Sequence, residues 1–237
     1  MIFSGERALL TGGSCCMALA LARGLMDQGV LPILSHRNAA GREKIETGLA
    51  DYPGRFETVF MDLAAPESFE PAIAKARPDY LVDFAQSDLE GFVAAADSNR
   101  VWTYVAENIS ARSQLVKHAA REMLKKRFGR LIFVSSTAAA MPNRGQGFYA
   151  AAKRAAEGFY RNLGLEMGER GITALSLRPG YVDAGRGSRY LEGKEIPEHW
   201  VLSPRDVAQT LLFLLSDPAR GFNATELTMD GGLTAGK

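Results

Sequence analysis

Tyr149 and Lys153 stand four residues apart, and Ser136 lies thirteen residues before the tyrosine. On a helix that spacing is about one turn, so the phenol and the ammonium share a face. A cation beside a phenol favours the phenolate and draws the phenol's pKa toward neutrality. A tuned phenol with a hydroxyl partner is what a general acid for carbonyl reduction needs. The residues around them read Ser135-Ser136-Thr137 and Gly145-Gln146-Gly147-Phe148-Tyr149-Ala150-Ala151-Ala152-Lys153.

Such residues need a scaffold. Short apolar runs at 8–11, 31–35, 56–60, 80–84, 130–135, 172–177 and 225–229 read as buried strands. Helical patterns lie between them, near 14–28, 39–50, 67–76, 99–126, 147–169 and 204–215. This alternation predicts an α/β fold of the Rossmann type, a doubly wound parallel sheet of seven strands with helices on both faces. Its ligands belong at the carboxyl ends of the strands. The chain reads as a single domain over 1–237. The segment 184–203, with Gly185, Gly187, Gly193 and Pro197, follows a strand end where a substrate lid would sit.

Composition excludes several other functions. The formal net charge of +1 gives no electrostatic case for nucleic acid or an anionic membrane. The longest apolar runs, such as 211–215, are far too short to cross a bilayer, and the first residues lack a signal-peptide pattern. A cytoplasmic location is therefore expected. Cys15 and Cys16 are adjacent and form no disulfide framework. His36, His118 and His199 are scattered, so no metal site is expected.

With these residues in view, the chain resembles the short-chain dehydrogenase/reductase family over nearly its whole length, and within it the 3-oxoacyl-[acyl-carrier-protein] reductases. The resemblance rests on Tyr149, Lys153, Ser136 and Asn108 in order, on Thr11-Gly12 and Asp62 after the first and third strands, on Pro179-Gly180 after the sixth, and on Met229-Asp230-Gly231-Gly232. It implies that Tyr149 protonates the substrate oxygen and that Ser136 hydrogen-bonds the same oxygen. It implies further that Lys153 tunes the tyrosine and binds the nicotinamide ribose, and that Asn108 holds a water relaying protons to the lysine.

The cofactor implied is NADP(H), held by Gly12, Ser14, Cys15, Cys16, Met17, Arg37, Asp62, Leu63, Ala85, Tyr149, Lys153, Pro179, Gly180 and Val182. Leu9-Leu10-Thr11-Gly12-Gly13-Ser14 is a strand running into a glycine-rich turn, whose following helix offers free N–H groups to a pyrophosphate. The family pattern has glycine where Cys16 and Ala18 stand. Three readings of Cys16 remain open: a shifted loop with weaker binding, a thiol accommodated without penalty, or lost cofactor binding. Asp83-Phe84-Ala85-Gln86 stands where the family has Asn-Asn-Ala-Gly, which puts the adenosine-side wall and the strand's tie to its neighbours in question. The second strand ends in Ser35-His36-Arg37-Asn38, with no acidic reader of a ribose 2′-hydroxyl. Arg37 could instead clamp a 2′-phosphate, which favours NADP over NAD.

By the same resemblance, Arg127 and Arg170 match arginines that hold an acidic acyl carrier protein. Cations at helix C-termini are also favoured by the helix dipole without any partner. Arg186 and Arg189 in the lid could extend the patch. Helices 99–126 and 147–169 carry apolar residues beyond one face, and in the resembled family such helices pair across two-fold axes, which implies a homotetramer or homodimer. Two alternatives stand beside a carrier-linked reductase. One is a carbonyl reductase or alcohol dehydrogenase acting on a free small molecule, and the other is a reductase-like binding protein that does not turn over.

Overall fold

The structure, a computed structural model, describes every residue except 142, 194, 236 and 237, and omits the side chains of Arg186 and Arg189. In chain order it runs β1 (Arg7–Thr11), α1 (Cys16–Asp27), β2 (Leu31–His36), α2 (Ala39–Gly48), β3 (Glu57–Phe60), α3 (Phe69–Ala76), β4 (Tyr80–Asp83) and α4 (Ser98–Val105). It continues through α5 (Arg112–Lys126), β5 (Gly129–Val134), α6 (Gly147–Met167), β6 (Ile172–Pro179), β7 (Tyr181–Val182), α7 (Arg186–Leu191), β8 (Val201–Leu202), α8 (Pro204–Leu215) and β9 (Glu226–Met229).

Seven strands form one parallel sheet in the order β3-β2-β1-β4-β5-β6-β9. The order reverses between β1 and β4, where Thr11 stands beside Asp83 at the carboxyl ends. A doubly wound sheet opens its ligand crevice at that point. The seven strands and six long helical stretches are those expected from the sequence. The segment 184–203, expected as a lid, contains α7 and β8, and β8 pairs in parallel with β7 just ahead of the segment; residue 194 within it lies outside the described residues.

Alternating side chains give the sheet two apolar faces. Leu10, Val82 and Ile132 face one way and pack with Leu21 and Leu25 of α1 and Leu211 and Leu215 of α8. Leu9, Leu81 and Leu131 face the other way and pack with Phe69 and Ile73 of α3, Leu115 and Ala119 of α5, and Tyr160 of α6. Each fully buried leucine contributes about 1.5–3 kcal/mol, so these two layers fix where the strand ends lie.

Local signals set the helix starts. Asn38 caps α2 by accepting from the Gly41 N–H at 2.8 Å. Ser203 and Asp206 form a capping box at α8, with Pro204 in its first turn. One helical stretch departs from its sequence reading. Residues 98–126 run on as a single rod, but Ala106–Ala111 between α4 and α5 is a wider π turn. Such turns are rare and gather at functional sites.

Candidate active site

A cleft of about 780 Å³ lies over the carboxyl ends of β1, β4 and β5. Thirteen of the residues assigned from the sequence line it: Gly12, Ser14, Cys15, Met17, Arg37, Asp62, Leu63, Ala85, Ser136, Tyr149, Pro179, Gly180 and Val182. Cys16, Asn108 and Lys153 do not line it.

Tyr149 lies in the first turn of α6 and Lys153 one turn later. The Lys153 ammonium is 5.6 Å from the Tyr149 ring centre and 4.7 Å from that of Phe133. Lys153 is buried, and its Nζ donates to the Val134 carbonyl at 2.7 Å. Ser136 begins a short turn just beyond β5, and its Oγ accepts from the Ala138 N–H at 3.2 Å. A hydroxyl and a phenol thus line the cleft with a buried cation beside the phenol's ring, the groups a proton transfer to a carbonyl oxygen requires.

This wall is braced from behind. Glu157, one turn past Lys153, accepts from Arg178 Nε and Nη2, both at 2.6 Å, and from Ser135 Oγ at 2.7 Å. The pair with Glu157 holds the Arg178 guanidinium above its ordinary pKa. Neither residue was marked from the sequence. The available signal was their position, beside Lys153 in one case and Pro179 in the other.

A second buried pair joins β4 to the π turn. Asp83 and Arg112 are both fully buried and meet at 2.9 Å. Asp83 also accepts from Thr11 Oγ1 at 2.6 Å and from the Tyr160 hydroxyl at 3.2 Å. Burial, and then the Asp83 carboxylate, push the Tyr160 phenol well above its usual range. The strand's tie, which the sequence put in question, is present: Thr11 and Asp83 lock β4 to β1 directly. Gln86 adds a bond from its Nε2 to the Tyr104 hydroxyl at 2.7 Å.

Asn108 is fully buried inside the π turn. Its Nδ2 donates to Ser87 Oγ at 2.5 Å and to the Tyr104 carbonyl at 2.9 Å, while its Oδ1 accepts from the Ser87 N–H at 3.2 Å. Its carbonyl accepts from Arg112 at 2.7 Å.

The opposite half of the cleft fits a dinucleotide. Gly12 has φ +61°, and a Cβ there would lie 3.1 Å from Ala85 backbone atoms, so the turn needs glycine. Cys15 caps α1, its Sγ accepting from the Ala18 N–H, and burial pushes its thiol up to about 11. Cys16, the first residue of α1, is exposed. Cys16 does not line the cleft, so a thiol crowding the cleft is not what the structure displays. Arg37 is exposed at the cleft edge. Beside it, His36 Nδ1 is buried without a hydrogen-bond partner among the described residues, as is Gln86 Oε1. Burial, and then the Arg42 cation, lower the His36 pKa. Among the described residues no three His, Cys, Asp or Glu side chains gather as a metal site would need.

Arg127 and Arg170 do come together, since Arg127 caps α5 and Arg170 ends the turn after α6. The Gly129 N–H donates to the Gly171 carbonyl at 3.3 Å between them. They sit at the amino ends of β5 and β6, however, and the cleft is at the carboxyl ends. A six-residue strand separates the two levels, or about 20 Å at 3.3 Å per residue. The side chains of Arg186 and Arg189 lie outside the described residues. No described helix is long and apolar enough to cross a membrane.

Known proteins share this architecture. The family model for short chain dehydrogenases matches residues 6–194. The chain is 29% identical over 244 residues to the 3-oxoacyl-[acyl-carrier-protein] reductase FabG of Pseudomonas aeruginosa, covering 98% of this chain and 99% of that one. It is 28% identical to FabG of Escherichia coli K12, with the same coverage. Among solved structures, a short chain dehydrogenase/reductase family protein superposes with a TM-score of 0.88 at 27% identity, covering 98% of both chains. An actinorhodin polyketide ketoreductase with NADPH superposes at 0.87 with 23% identity, covering 99% of this chain and all of that one. An NAD+-bound xylitol dehydrogenase also superposes at 0.87, with 19% identity and coverage of 96% and 98%. The last two speak for the fold alone.

Proposed function

The chain belongs to the short-chain dehydrogenases, and from that premise we propose that it is an NADPH-dependent reductase of a 3-oxoacyl thioester carried on an acyl carrier protein. The product would be the 3-hydroxyacyl thioester of fatty-acid or polyketide assembly in the cytoplasm. The observation that carries this reading is the Lys153 ammonium 5.6 Å from the ring of Tyr149, with Tyr149 and Ser136 lining the same cleft. Full-length similarity to reductases named for carrier-bound 3-oxoacyl substrates supports the substrate class.

The nicotinamide, when bound, supplies the hydride to the carbonyl carbon. Tyr149 gives its phenolic proton to the carbonyl oxygen as negative charge grows there. Ser136 donates a hydrogen bond to the same oxygen. The buried Lys153 cation stabilises the phenolate left behind. Asn108 lies in the turn next to this set. Gly12, Ser14 and Met17, with the backbone of Cys15 and Cys16, would receive the pyrophosphate, and Arg37 the 2′-phosphate. Asp62, Leu63 and Ala85 would wall the adenosine, Tyr149 and Lys153 would meet the ribose, and Pro179, Gly180 and Val182 would border the nicotinamide.

An apolar groove between α5 and α6, lined by Val116, Leu124, Phe159 and Met167, supports assembly as a homodimer or homotetramer. One observation favours a second reading, reduction of a free small molecule. Arg127 and Arg170 lie at the far edge of the sheet, and carboxylates of Asp88, Glu90 and Glu107 line the cleft. Turnover of an acetoacetyl thioester on the carrier, compared with the same acyl group on a small thiol, separates the two.

A further inference from the structure

We infer that Arg112 is a positioning residue that fixes the Asn108 turn and the loop after β4 against the active site. This rests on the reductase reading above. All three guanidinium nitrogens are engaged. Nε donates to Asp83 Oδ2 at 2.9 Å, Nη1 to the Asn108 carbonyl at 2.7 Å, and Nη2 to the Ala85 carbonyl. The side chain is fully buried and stacks over Phe133 at 5.1 Å, the ring that Lys153 also meets.

Its partner extends the reach. Asp83 receives the Thr11 hydroxyl at the glycine-rich turn and the Tyr160 hydroxyl on α6, the helix of Tyr149 and Lys153. The Ala85 N–H donates to both Thr11 Oγ1 and Asp83 Oδ1, each at 3.2 Å. A single ion pair therefore links β1, β4, the π turn and α6, each of which carries residues of the site.

Stability alone does not account for it. Removing two charges from water costs several kcal/mol per ion, and apolar replacement of a buried pair is often neutral or stabilising. The fork's geometry, which reaches three acceptors on separate segments, is what an apolar pair could not supply. The Asn108 carbonyl lies inside the π turn, and Arg112 Nη1 donates to it across that turn. That carbonyl is then fixed by a guanidinium, whatever water also reaches it.

The test is the double variant Asp83→Asn/Arg112→Met, which removes both charges and leaves no orphan ion. Two properties are read: amide hydrogen exchange across residues 84–88 and 106–113 without ligand, and steady-state kinetics. The inference predicts a cooperative fold with Tm near the parent's, and faster exchange confined to those segments. It also predicts that kcat drops about 10- to 100-fold while KM for the ketone moves little. Parent-like exchange overturns the inference, and so does faster exchange with unchanged kcat. If the double variant does not fold, Arg112→Lys keeps the charge toward Asp83 but cannot span three acceptors. The same readouts then decide, and parent-like behaviour in both overturns the inference. A parent chain that turns over no ketone sinks the reductase reading instead, and unaltered exchange would then also refute the ordering of the turn.

Discussion

Glu157 and Arg178 face each other in a two-pronged pair, both bonds 2.6 Å, which pins α6 to the end of β6. Lys153 lies one turn before the glutamate and Pro179 directly follows the arginine, so the pair sets the distance between the helix of Tyr149 and Lys153 and the Pro179-Gly180 turn. Glu157 is 2% exposed. Glu157→Ala strands a largely buried guanidinium and the Ser135 hydroxyl, and should cost about 3–5 kcal/mol of unfolding free energy. Urea denaturation checks this, and a loss below 1 kcal/mol, a surface pair's worth, would contradict the bracing role.

The two cysteines should differ in reactivity. Burial holds the Cys15 thiol near 11, so at pH 8 only about one molecule in a thousand carries its thiolate. Cys16 is exposed. Iodoacetamide at pH 8 should label Cys16 and spare Cys15, with Cys15 labelling rising only as pH climbs toward 11. Because the Cys16 side chain does not line the cleft, Cys16→Gly should leave NADPH affinity within about twofold in a fluorescence titration. A marked tightening would restore the crowding argument.

Arg37 is the residue expected to discriminate NADPH from NADH. A charge-assisted hydrogen bond is worth about 1.5–3 kcal/mol, so Arg37→Ala should weaken NADPH about 10- to 100-fold and leave NADH nearly unchanged. Equal loss for both dinucleotides would place the arginine's role elsewhere.

Reversing the charge at Arg127 and Arg170 distinguishes the two substrate readings. Carrier docking predicts that Arg127→Glu/Arg170→Glu raises KM for a carrier-bound thioester and leaves the small-thiol thioester untouched. Since both arginines lie at the amino edge of the sheet, the effect then requires an assembly in which one chain's arginines serve another chain's cleft. No change for either substrate would favour the free small molecule.

Much of this arrangement was legible in the sequence. The seven apolar runs lie in a parallel sheet buried on both faces, so each is a continuous hydrophobic segment and stands out. Tyr149 and Lys153 could be paired because helical spacing is local. What stayed hidden depends on contacts across the chain. The π turn at Ala106–Ala111 keeps an ordinary helical pattern, since widening the hydrogen-bond ring changes no residue type. Arg112 in a long helix reads as a surface cation, and only the approach of Asp83 from β4 makes it a core residue. Arg127 and Arg170 lie beside the catalytic strand in sequence, and only the strand direction puts them at its wrong end. Cys16 occupies a glycine's place in the motif, but which way its thiol points was not written in the pattern.

In the proposed reaction the Tyr149 phenol protonates a ketone beside bound dihydronicotinamide. The most direct measurement is NADPH oxidation with an acetoacetyl thioester, for the parent chain and for Tyr149→Phe, with folding checked by circular dichroism. If the phenol is the proton donor, the parent turns over steadily and the phenylalanine variant has a kcat lower by about 10²- to 10⁴-fold, with NADPH still bound. A folded Tyr149→Phe protein that turns over as fast as its parent would contradict it.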